Sequence, residues 1–260
     1  MPDRFYDALG AGYDAIIDWE SRLRRESPFF RDVFARHDTK SVLDTACGTG
    51  EHAWLFASWE LRVAATDISE EMLEVAAKKG TEPFSADVCG KRLRPLFRQA
   101  AFGVTYEALH EAFDAVTCLG NSFPHILTDD LAHRTAEDFA KLTRPGGVLI
   151  IQQLNYEAMR LNGERFMGPQ SRTIDGRENL SLRILDLDRD PVRFTIVQMT
   201  RTDSGWERWA WETLHRARTE AEMAALLREA EFSQVQCFGD FGKAAFDAAS
   251  SDQMLVVATR

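Results

Sequence analysis

The segment from Val42 to Gly50 constrains the fold of this chain more than any other. It reads VLDTACGTG, an apolar run that ends in Asp44 and is followed by a turn containing Gly48 and Gly50. The run predicts a buried strand, and the glycines allow the backbone to turn tightly and approach a ligand closely. A second apolar run ends at Asp67. Together they predict a strand, a turn, a helix and a second strand whose final acid faces the hydroxyls of a ribose.

Asp44, the acid before the turn, indicates which of two classes of ligand the turn binds. Gly48 and Gly50, with Ala53, satisfy the short glycine pattern of dinucleotide-binding proteins, but that pattern recurs in unrelated turns. A carboxylate at Asp44 would repel a pyrophosphate in a partly dry site, whereas it would attract an ammonium group. S-adenosylmethionine carries an ammonium group at one end and a ribose diol nearer the other. Asp44 and Asp67 suit these two groups, although a turn-capping role for Asp44 is the simpler alternative.

The composition limits the classes of function. The 260 residues are 45% hydrophobic, which predicts a substantial core. The net charge of −10 is unfavourable for binding nucleic acid, and we interpret the basic stretch 91–98 as a solvated connection. We find no signal peptide and no apolar run that could span a membrane. The four cysteines form no C-x-x-C pair, so we predict no metal site and a reducing, cytoplasmic environment.

Strands and helices alternate along most of the chain. Seven strands of one sheet are predicted, five before a segment of different pattern and two after it: Ser41–Asp44, Arg62–Asp67, Pro83–Ala86, Ala112–Cys118, Gly147–Leu154, Gln234–Phe238 and Gln253–Thr259. Ser69 and either Thr128 or Asp129 are predicted N-caps of intervening helices. This alternation is typical of a parallel sheet with helices on both faces, so the predicted fold class is α/β and Rossmann-like.

The segment 156–216 departs from this alternation. Leu180–Asp188, Val192–Thr202 and Trp206–Arg216 are three strand-like stretches separated by turn residues. They predict an antiparallel three-stranded insertion. The predicted organisation is a helical N-terminal region at 1–40, an α/β core at 41–155 and 217–260, and the insertion at 156–216.

Two segments resemble a known superfamily. Val42–Ala57 resembles the cofactor-binding motif of class I S-adenosylmethionine-dependent methyltransferases. Cys118–His125, which reads CLGNSFPH, and the Asn155-Tyr156 pair are similar to the glycine N-methyltransferase and glycine/sarcosine N-methyltransferase group. The resemblance implies S-adenosylmethionine as cofactor, S-adenosylhomocysteine as product and a small-molecule acceptor, with a nitrogen as the favoured target. It also implies that residues 1–40 form a lid and that the insertion covers the acceptor pocket.

The resemblance also implies the roles of individual residues. The lid would supply Tyr13, Trp19 and Arg25, with Arg22, Arg24 and Arg36 as competitors of Arg25. Further cofactor contacts would come from Asp44, Ala46, Gly48, Gly50, Asp67, Ile68, Met72, Asp87, Val88, Leu119 and Gly120. His125 is the candidate base or positioning group, and Asn121 and Tyr156 are candidate orienting groups.

One position departs from the pattern of the group. The group has an arginine before the Asn-Tyr pair that binds the carboxylate of the amino-acid acceptor, and this chain has Leu154 there. A carboxylate left unpaired in that pocket would be costly, so glycine is disfavoured as the acceptor. An oxygen or sulfur acceptor is the alternative within the same chemistry. Outside it, the alternatives are a nicotinamide-dependent oxidoreductase and a regulator that binds the cofactor without turnover. The oligomeric state is not predicted.

Overall fold

The computed structural model describes residues 13–79, 93–174 and 176–260. The helices in these ranges are α1 (Tyr13–Ile16), α2 (Trp19–Arg36), α3 (Glu51–Ala57), α4 (Glu70–Lys79), α5 (Thr105–Leu109), α6 (Asp129–Leu142), α7 (Tyr156–Asn162) and α8 (Glu220–Glu229). The strands are β1 (Ser41–Thr45), β2 (Arg62–Asp67), β3 (Leu96–Gln99), β4 (Phe113–Cys118), β5 (Thr143–Leu154), β6 (Phe166–Ile174), β7 (Arg177–Asp186), β8 (Val192–Thr202), β9 (Gly205–His215), β10 (Gln234–Phe238) and β11 (Gln253–Thr259).

Within the described ranges, seven strands form the main sheet in the order β10-β11-β5-β4-β1-β2-β3. Strands β1 to β5 are parallel, whereas β11 is antiparallel to both β5 and β10. The chain proceeds from β1 outward through β2 to β3 and then returns to β4 on the other side of β1. This reversal opens a crevice at the carboxyl ends of β1 and β4, where open α/β sheets bind their ligands. The predicted α/β, Rossmann-like fold class is confirmed.

Both faces of the main sheet are buried. Neighbouring residues of β1 point to opposite faces, and Val42 and Leu43 are both fully buried. Leu43 packs with Phe139 of α6 and other residues of one core, and Val42 packs with Phe30 of α2 and other residues of the second. This explains why β1 reads as a continuous apolar run rather than an alternating one.

Side-chain caps fix the ends of several helices. Asp18 accepts a hydrogen bond from the Ser21 backbone N–H at the start of α2. Thr128, one of the two predicted residues, caps α6 by accepting from Leu131, and Thr219 forms a capping box with Glu222 at the start of α8. Because α2 lies on the second core, its first turn is held close to the crevice.

The third strand of the main sheet differs from the prediction. The predicted strand at 83–86 lies outside the described residues, and the strand paired with β2 is β3. Its first three residues belong to the basic stretch 91–98, so the interpretation of that stretch as a solvated connection was wrong for residues 96–98. The strand forms an edge of the sheet and is mostly exposed, with only Phe97 packed inward against Trp54. An edge strand of this kind lacks the apolar pattern on which the prediction depended.

The insertion has four described strands rather than the predicted three. They form a separate antiparallel sheet in the order β6-β7-β8-β9. The missed strand is β6, whose register with β7 shifts between Met167 and Gln170. Gly168 and Pro169 lie in this irregularity and interrupt the alternation on which a strand prediction depends. Proline is compatible with β6 because this strand lies at the edge of its sheet.

Candidate functional site

Two cavities meet at the carboxyl end of the main sheet. The first, here called the turn cavity, is lined by the glycine turn after β1 and by the loops after β2, β3 and β4. The second, here called the insertion cavity, lies between the lid helices, the end of β5 and the insertion sheet. Tyr13, Arg22 and Gly120 line both cavities, so these three residues mark the junction.

Most of the predicted cofactor residues lie around the turn cavity. It is lined by Tyr13, Trp19, Asp44, Ala46, Gly48, Asp67, Ile68, Met72, Leu119, Gly120 and His125. Asp87 and Val88, predicted at the adenine, lie outside the described residues. Ala100, Ala101 and Phe102, which follow β3, line the cavity and were not predicted. They were missed because β3 itself was missed.

The glycine turn is tied to the end of β2 by Asp67. The carboxylate of Asp67 accepts hydrogen bonds from the backbone N–H of Gly48 at 2.8 Å and of Ser69 at 2.9 Å. Gly48 has φ +55°, and a Cβ there would lie 4.0 Å from the Tyr13 ring. That distance is an ordinary contact, so the positive φ, and not a lack of space, favours glycine at this position.

Gly50 does not line the turn cavity, contrary to the prediction. It is the left-handed N-cap of α3 with φ +77°, and a Cβ there would lie 2.8 Å from the Cβ of Ala76 in α4. Gly50 therefore allows α3 and α4 to pack closely. The pattern that suggested a ligand contact arises here from helix packing.

Asp44 is buried at the base of the turn cavity and is 2% exposed. Its carboxylate accepts a hydrogen bond of 2.7 Å from the Thr117 hydroxyl. Burial raises the pKa of Asp44 to about 6, although His52, the Thr117 hydrogen bond and Arg22 lower it. A buried carboxylate of this kind is stabilised by a cationic ligand group, and the ammonium of S-adenosylmethionine fits that requirement.

We expect cofactor binding to weaken as the pH falls below about 6, because protonated Asp44 no longer attracts an ammonium group. The effect on the stability of the ligand-free protein has the opposite sign. The pKa of Asp44 is higher in the folded state than the usual 3.8, so its burial lowers stability progressively as the pH rises from about 4 through 6, by roughly 3 kcal/mol at most.

Asp44→Asn tests both signs. At pH 7 the variant should unfold at a higher temperature than the unaltered protein and bind S-adenosylhomocysteine more weakly. Its binding should also lose the pH dependence between about pH 5 and 7. Calorimetric titrations and thermal unfolding measure these quantities, and equal cofactor affinity in the two proteins would contradict the ligand role of Asp44.

Arg22, and not Arg25, is the lid arginine of the turn cavity. The Arg22 Nε donates to Glu26 at 2.9 Å, and its guanidinium lies 5.0 Å from the centre of the Trp19 ring. Arg25 has a side chain that is 64% exposed and lines only the insertion cavity. Of the two, only Arg22 lines the turn cavity, where it is held by the buried Glu26, and a cofactor contact of Arg25 stays a prediction.

Several residues that hold the lid were missed by the sequence analysis. Asp14 accepts hydrogen bonds from the Trp19 indole at 2.8 Å and from the Thr49 hydroxyl at 2.6 Å, and it pairs with Lys79 at 2.7 Å. The buried Glu26 contacts His52 at 2.8 Å. Their sequence positions carried no motif, since all of these contacts except that of Asp14 with Trp19 join segments that are far apart in the chain.

A chain of polar side chains connects the two cavities. The Asn121 amide donates to the Tyr156 hydroxyl at 2.8 Å, and that hydroxyl lies 2.7 Å from the Nδ1 of His215. The two Nε2 atoms of His215 and His125 are 3.3 Å apart, and the Nδ1 of His125 is 3.3 Å from the Thr213 hydroxyl. We call these five residues the Tyr–His chain. His125 lines the turn cavity, and Asn121 and His215 line the insertion cavity.

The surroundings of Asn121 fix the direction of these hydrogen bonds. The Asn121 oxygen accepts from the backbone N–H of Leu154 at 2.9 Å, so its NH₂ group faces Tyr156. The Tyr156 hydroxyl then accepts from Asn121 and donates to the Nδ1 of His215. His215 is thereby protonated on Nε2, which donates to His125. The predicted residues Asn121, Tyr156 and His125 are thus brought together, and Tyr156 itself lines neither cavity.

Burial determines the protonation states of the residues in the Tyr–His chain. It lowers the pKa of His125 to about 4 and the pKa of His215 well below its usual value, and it raises the pKa of Tyr156. Both imidazoles are neutral at pH 7, so they accept a proton poorly. Of the two roles predicted for His125, positioning fits the geometry better than general base. His215 was missed because it ends β9, 90 residues beyond His125.

Comparison with known proteins agrees with this architecture. Residues 42–147 match a family described as a methyltransferase domain. A glycine/sarcosine N-methyltransferase of Aphanothece halophytica is 34% identical over 145 residues, 56% of this chain and 52% of the relative. One from Halorhodospira halochloris is 31% identical over 161 residues, 62% of this chain and 57% of the relative. The matches thus span about half the length of these relatives.

Solved structures share the fold. An S-adenosylmethionine-dependent methyltransferase from Clostridium acetobutylicum aligns with a TM-score of 0.74 over 98% of this chain and 96% of the other, at 19% identity. An amino pentose methyltransferase from Micromonospora echinaspora, solved with S-adenosylmethionine, aligns with a TM-score of 0.71 over 98% and 96% at 21% identity.

The chain has the fold of S-adenosylmethionine-dependent methyltransferases, and its residues 42–147 match a methyltransferase domain. Over about half of their length, it is similar to glycine/sarcosine N-methyltransferases. The resemblance found in the sequence is confirmed, and S-adenosylmethionine is the cofactor of this class. None of the helices in the described ranges is long and apolar enough to cross a membrane.

Proposed function

We propose that this chain transfers the methyl group of S-adenosylmethionine to a nitrogen of a small-molecule acceptor. The observation that carries the proposal is the junction of the two cavities at Tyr13, Arg22 and Gly120. One cavity has the buried acids that suit the cofactor, and the other is lined by amide, apolar and charged side chains, among them Arg25 and Glu26. A methyl group exchanged between two ligands must lie where their cavities meet.

The residues of the turn cavity fit the parts of the cofactor. Asp44 binds the ammonium group, Arg22 binds the carboxylate, and Asp67 accepts hydrogen bonds from the ribose hydroxyls. Tyr13 and Trp19 cover the sulfonium, whose positive charge favours aromatic faces. The bound cofactor supplies an already activated methyl group. The protein therefore has to align the acceptor and exclude water, which are the tasks of the lid and the insertion.

In the proposed complex, Asn121 orients the acceptor in the insertion cavity. Its amide is fixed by Leu154 and Tyr156, and its backbone N–H donates to Gln152 at 3.1 Å. A polar group fixed at three points is well suited to orient a lone pair toward the junction. The relatives that act on glycine nitrogen support a nitrogen acceptor, and oxygen and sulfur acceptors are the alternatives. The cytoplasmic location and the absence of nucleic-acid partners stay predictions from the sequence.

The apolar side chain of Leu154 in the wall of the insertion cavity leads to a prediction about glycine as an acceptor. Leu154 lines the insertion cavity and offers no charge to a carboxylate. We expect the initial rate of methylation of glycine, sarcosine and dimethylglycine to be at least about tenfold below that of the best uncharged amine. Transfer of a radiolabelled methyl group to amines, thiols and phenols measures these rates.

Two outcomes of this experiment would contradict the proposal at different levels. Efficient turnover of glycine would show that Leu154 does not decide acceptor choice. Transfer only to thiols or phenols would show that the acceptor atom is sulfur or oxygen rather than nitrogen. Calorimetry adds a separate test, because tight binding of NAD without binding of S-adenosylmethionine would favour an oxidoreductase over a methyltransferase.

A further inference from the structure

A buried carboxylate joins the lid to the helix that follows the glycine turn. Glu26 of α2 is 1% exposed, although glutamate is almost never fully buried unless it is paired. Its Oε1 accepts from the Nε of Arg22 at 2.9 Å, and its Oε2 is 2.8 Å from the Nε2 of His52 in α3. We call Glu26 and His52 the lid brace. Because the loss of hydration offsets much of the attraction within a buried ionic group, the lid brace needs a role besides stability.

The lid brace fixes the direction of the Arg22 side chain. Arg22 and Glu26 are four residues apart on α2, and such a pair on the surface of a helix contributes little and changes its geometry readily. Here His52 holds the second oxygen from another helix, so the carboxylate cannot rotate without losing a contact. Burial acts to raise the pKa of Glu26, but the contacts with His52 and Arg22 outweigh burial and lower that pKa below its usual value. Glu26 is therefore ionised at neutral pH and holds the guanidinium through a charged hydrogen bond.

The opposite end of the guanidinium lies at the junction of the two cavities. The Arg22 guanidinium is 5.0 Å from the centre of the Trp19 ring. Its Nη2 lies 4.0 Å from the place that a Cβ on Gly120 would occupy, and Gly120 lines both cavities. Among the described residues, Arg22 forms its side-chain hydrogen bond through Nε alone. The contacts at Nε and at the Trp19 ring thus hold the Nη2 end of the guanidinium at the junction.

The lid brace also keeps Arg22 apart from Asp44. Both residues line the turn cavity, and the charge of Arg22 acts on Asp44. Opposite charges attract strongly in a partly dry site, and a direct pair would withdraw both of them from a ligand. In the described part of the chain, however, Asp44 accepts its hydrogen bond from Thr117, and Arg22 donates to Glu26. Two separate opposite charges therefore face the cavity, as a ligand with both an ammonium group and a carboxylate requires.

We propose that the lid brace positions Arg22 for the carboxylate of S-adenosylmethionine and thereby makes recognition of that carboxylate depend on a closed lid. This inference rests on the proposed function, in which Arg22 binds that carboxylate. Glu26 and His52 act through Arg22, as positioning residues. Because Glu26 belongs to the lid and His52 to α3, their contact forms only when α2 lies against α3. A guanidinium that is fixed before binding loses less side-chain entropy when the carboxylate arrives.

The test compares the binding of S-adenosylhomocysteine to the full chain with that of its decarboxylated analogue, which keeps the ammonium group and lacks the carboxylate. Calorimetry measures both affinities. We expect the unaltered chain to bind S-adenosylhomocysteine about 10- to 100-fold more tightly than the analogue, and Arg22→Met to remove this preference. Arg22→Met combined with His52→Phe should lose no more of the preference than Arg22→Met alone, because His52 acts through Arg22.

The variants of His52 separate positioning from packing. His52→Phe keeps an aromatic ring against Phe30 and Phe56 but cannot bind Glu26. We expect it to lower the preference for S-adenosylhomocysteine by about fivefold or more, while the affinity for the decarboxylated analogue changes less than about twofold. His52→Gln retains a side-chain donor for Glu26 and should restore part of the preference.

An exposed pair of the same kind provides the matched control. His133 of α6 lies 3.1 Å from Glu229 of α8, and neither residue lines the turn cavity or the insertion cavity. His133→Phe should leave both affinities unchanged. An unchanged preference in His52→Phe would overturn the inference, and so would an equal weakening of both ligands, which a purely structural role predicts.

The proposed function is tested separately. An unchanged preference in Arg22→Met would contradict the contact between Arg22 and the carboxylate, and the inference with it. Transfer of labelled methyl groups by the unaltered chain measures the reaction itself. A chain that transfers no methyl group but retains the preference, and loses it in His52→Phe, would contradict the proposed function and support the role of the lid brace.

Discussion

Asn121→Ala is expected to lower kcat/KM for the amine acceptor by about 100-fold, while the dissociation constant of S-adenosylmethionine changes less than about twofold. The side-chain amide of Asn121 joins two elements of the acceptor side, β5 through Leu154 and α7 through Tyr156. Its removal leaves the Tyr156 hydroxyl without a donor. The donor and acceptor order of the hydrogen bonds in the Tyr–His chain is then no longer fixed. A small loss of alignment at the transferring methyl group has a large effect on rate.

Two further variants separate alignment from general damage. Asn121→Asp retains an acceptor for the Leu154 N–H but cannot donate to Tyr156, so the hydroxyl would reverse and the protonation of His215 would change with it. We expect a loss of rate close to that of Asn121→Ala. Asn179→Ala removes a comparable amide on the insertion sheet, bonded to Thr200 at 2.6 Å and outside both cavities. If it reduced the rate equally, the effect of Asn121 would be structural.

Asp67→Asn is expected to weaken the binding of S-adenosylhomocysteine by about 1.5–3 kcal/mol, roughly 10- to 100-fold. In the proposed complex, the buried carboxylate of Asp67 accepts charge-assisted hydrogen bonds from the ribose hydroxyls, and such hydrogen bonds are the stronger kind. It also holds the N–H groups of Gly48 and Ser69, so part of any loss arises from a loosened turn.

A ligand without the ribose hydroxyls separates these two contributions. For S-adenosylhomocysteine lacking the 2′- and 3′-hydroxyls, Asp67→Asn removes no ligand hydrogen bond, and only the loosened turn contributes. We therefore expect the variant to bind the deoxygenated ligand with nearly the affinity of the unaltered protein. Equal losses for both ligands, measured by calorimetry, would mean that Asp67 serves only the turn.

The sequence predicted the features that depend on short stretches of chain. The strand before Gly48 and the acid at the end of β2 follow from an apolar run and from the backbone angles of a tight turn, which are local properties. The same locality explains the errors. Gly50 satisfies the ligand-binding pattern but serves helix packing, and β3 and β6 are edge strands whose exposed or irregular residues lack a clear alternation.

Only the tertiary structure decided which distant side chains meet. The sequence offered four lid arginines, and the buried Glu26 selects Arg22 by drawing it toward His52 and the turn cavity. His215 joins His125 and Tyr156 because the register of β8 and β9 brings the end of β9 beneath the loop after β4. A strand or a turn is encoded by neighbouring residues, but a contact between segments 90 residues apart depends on the packing of two sheets, and one sequence carries no local signal for it.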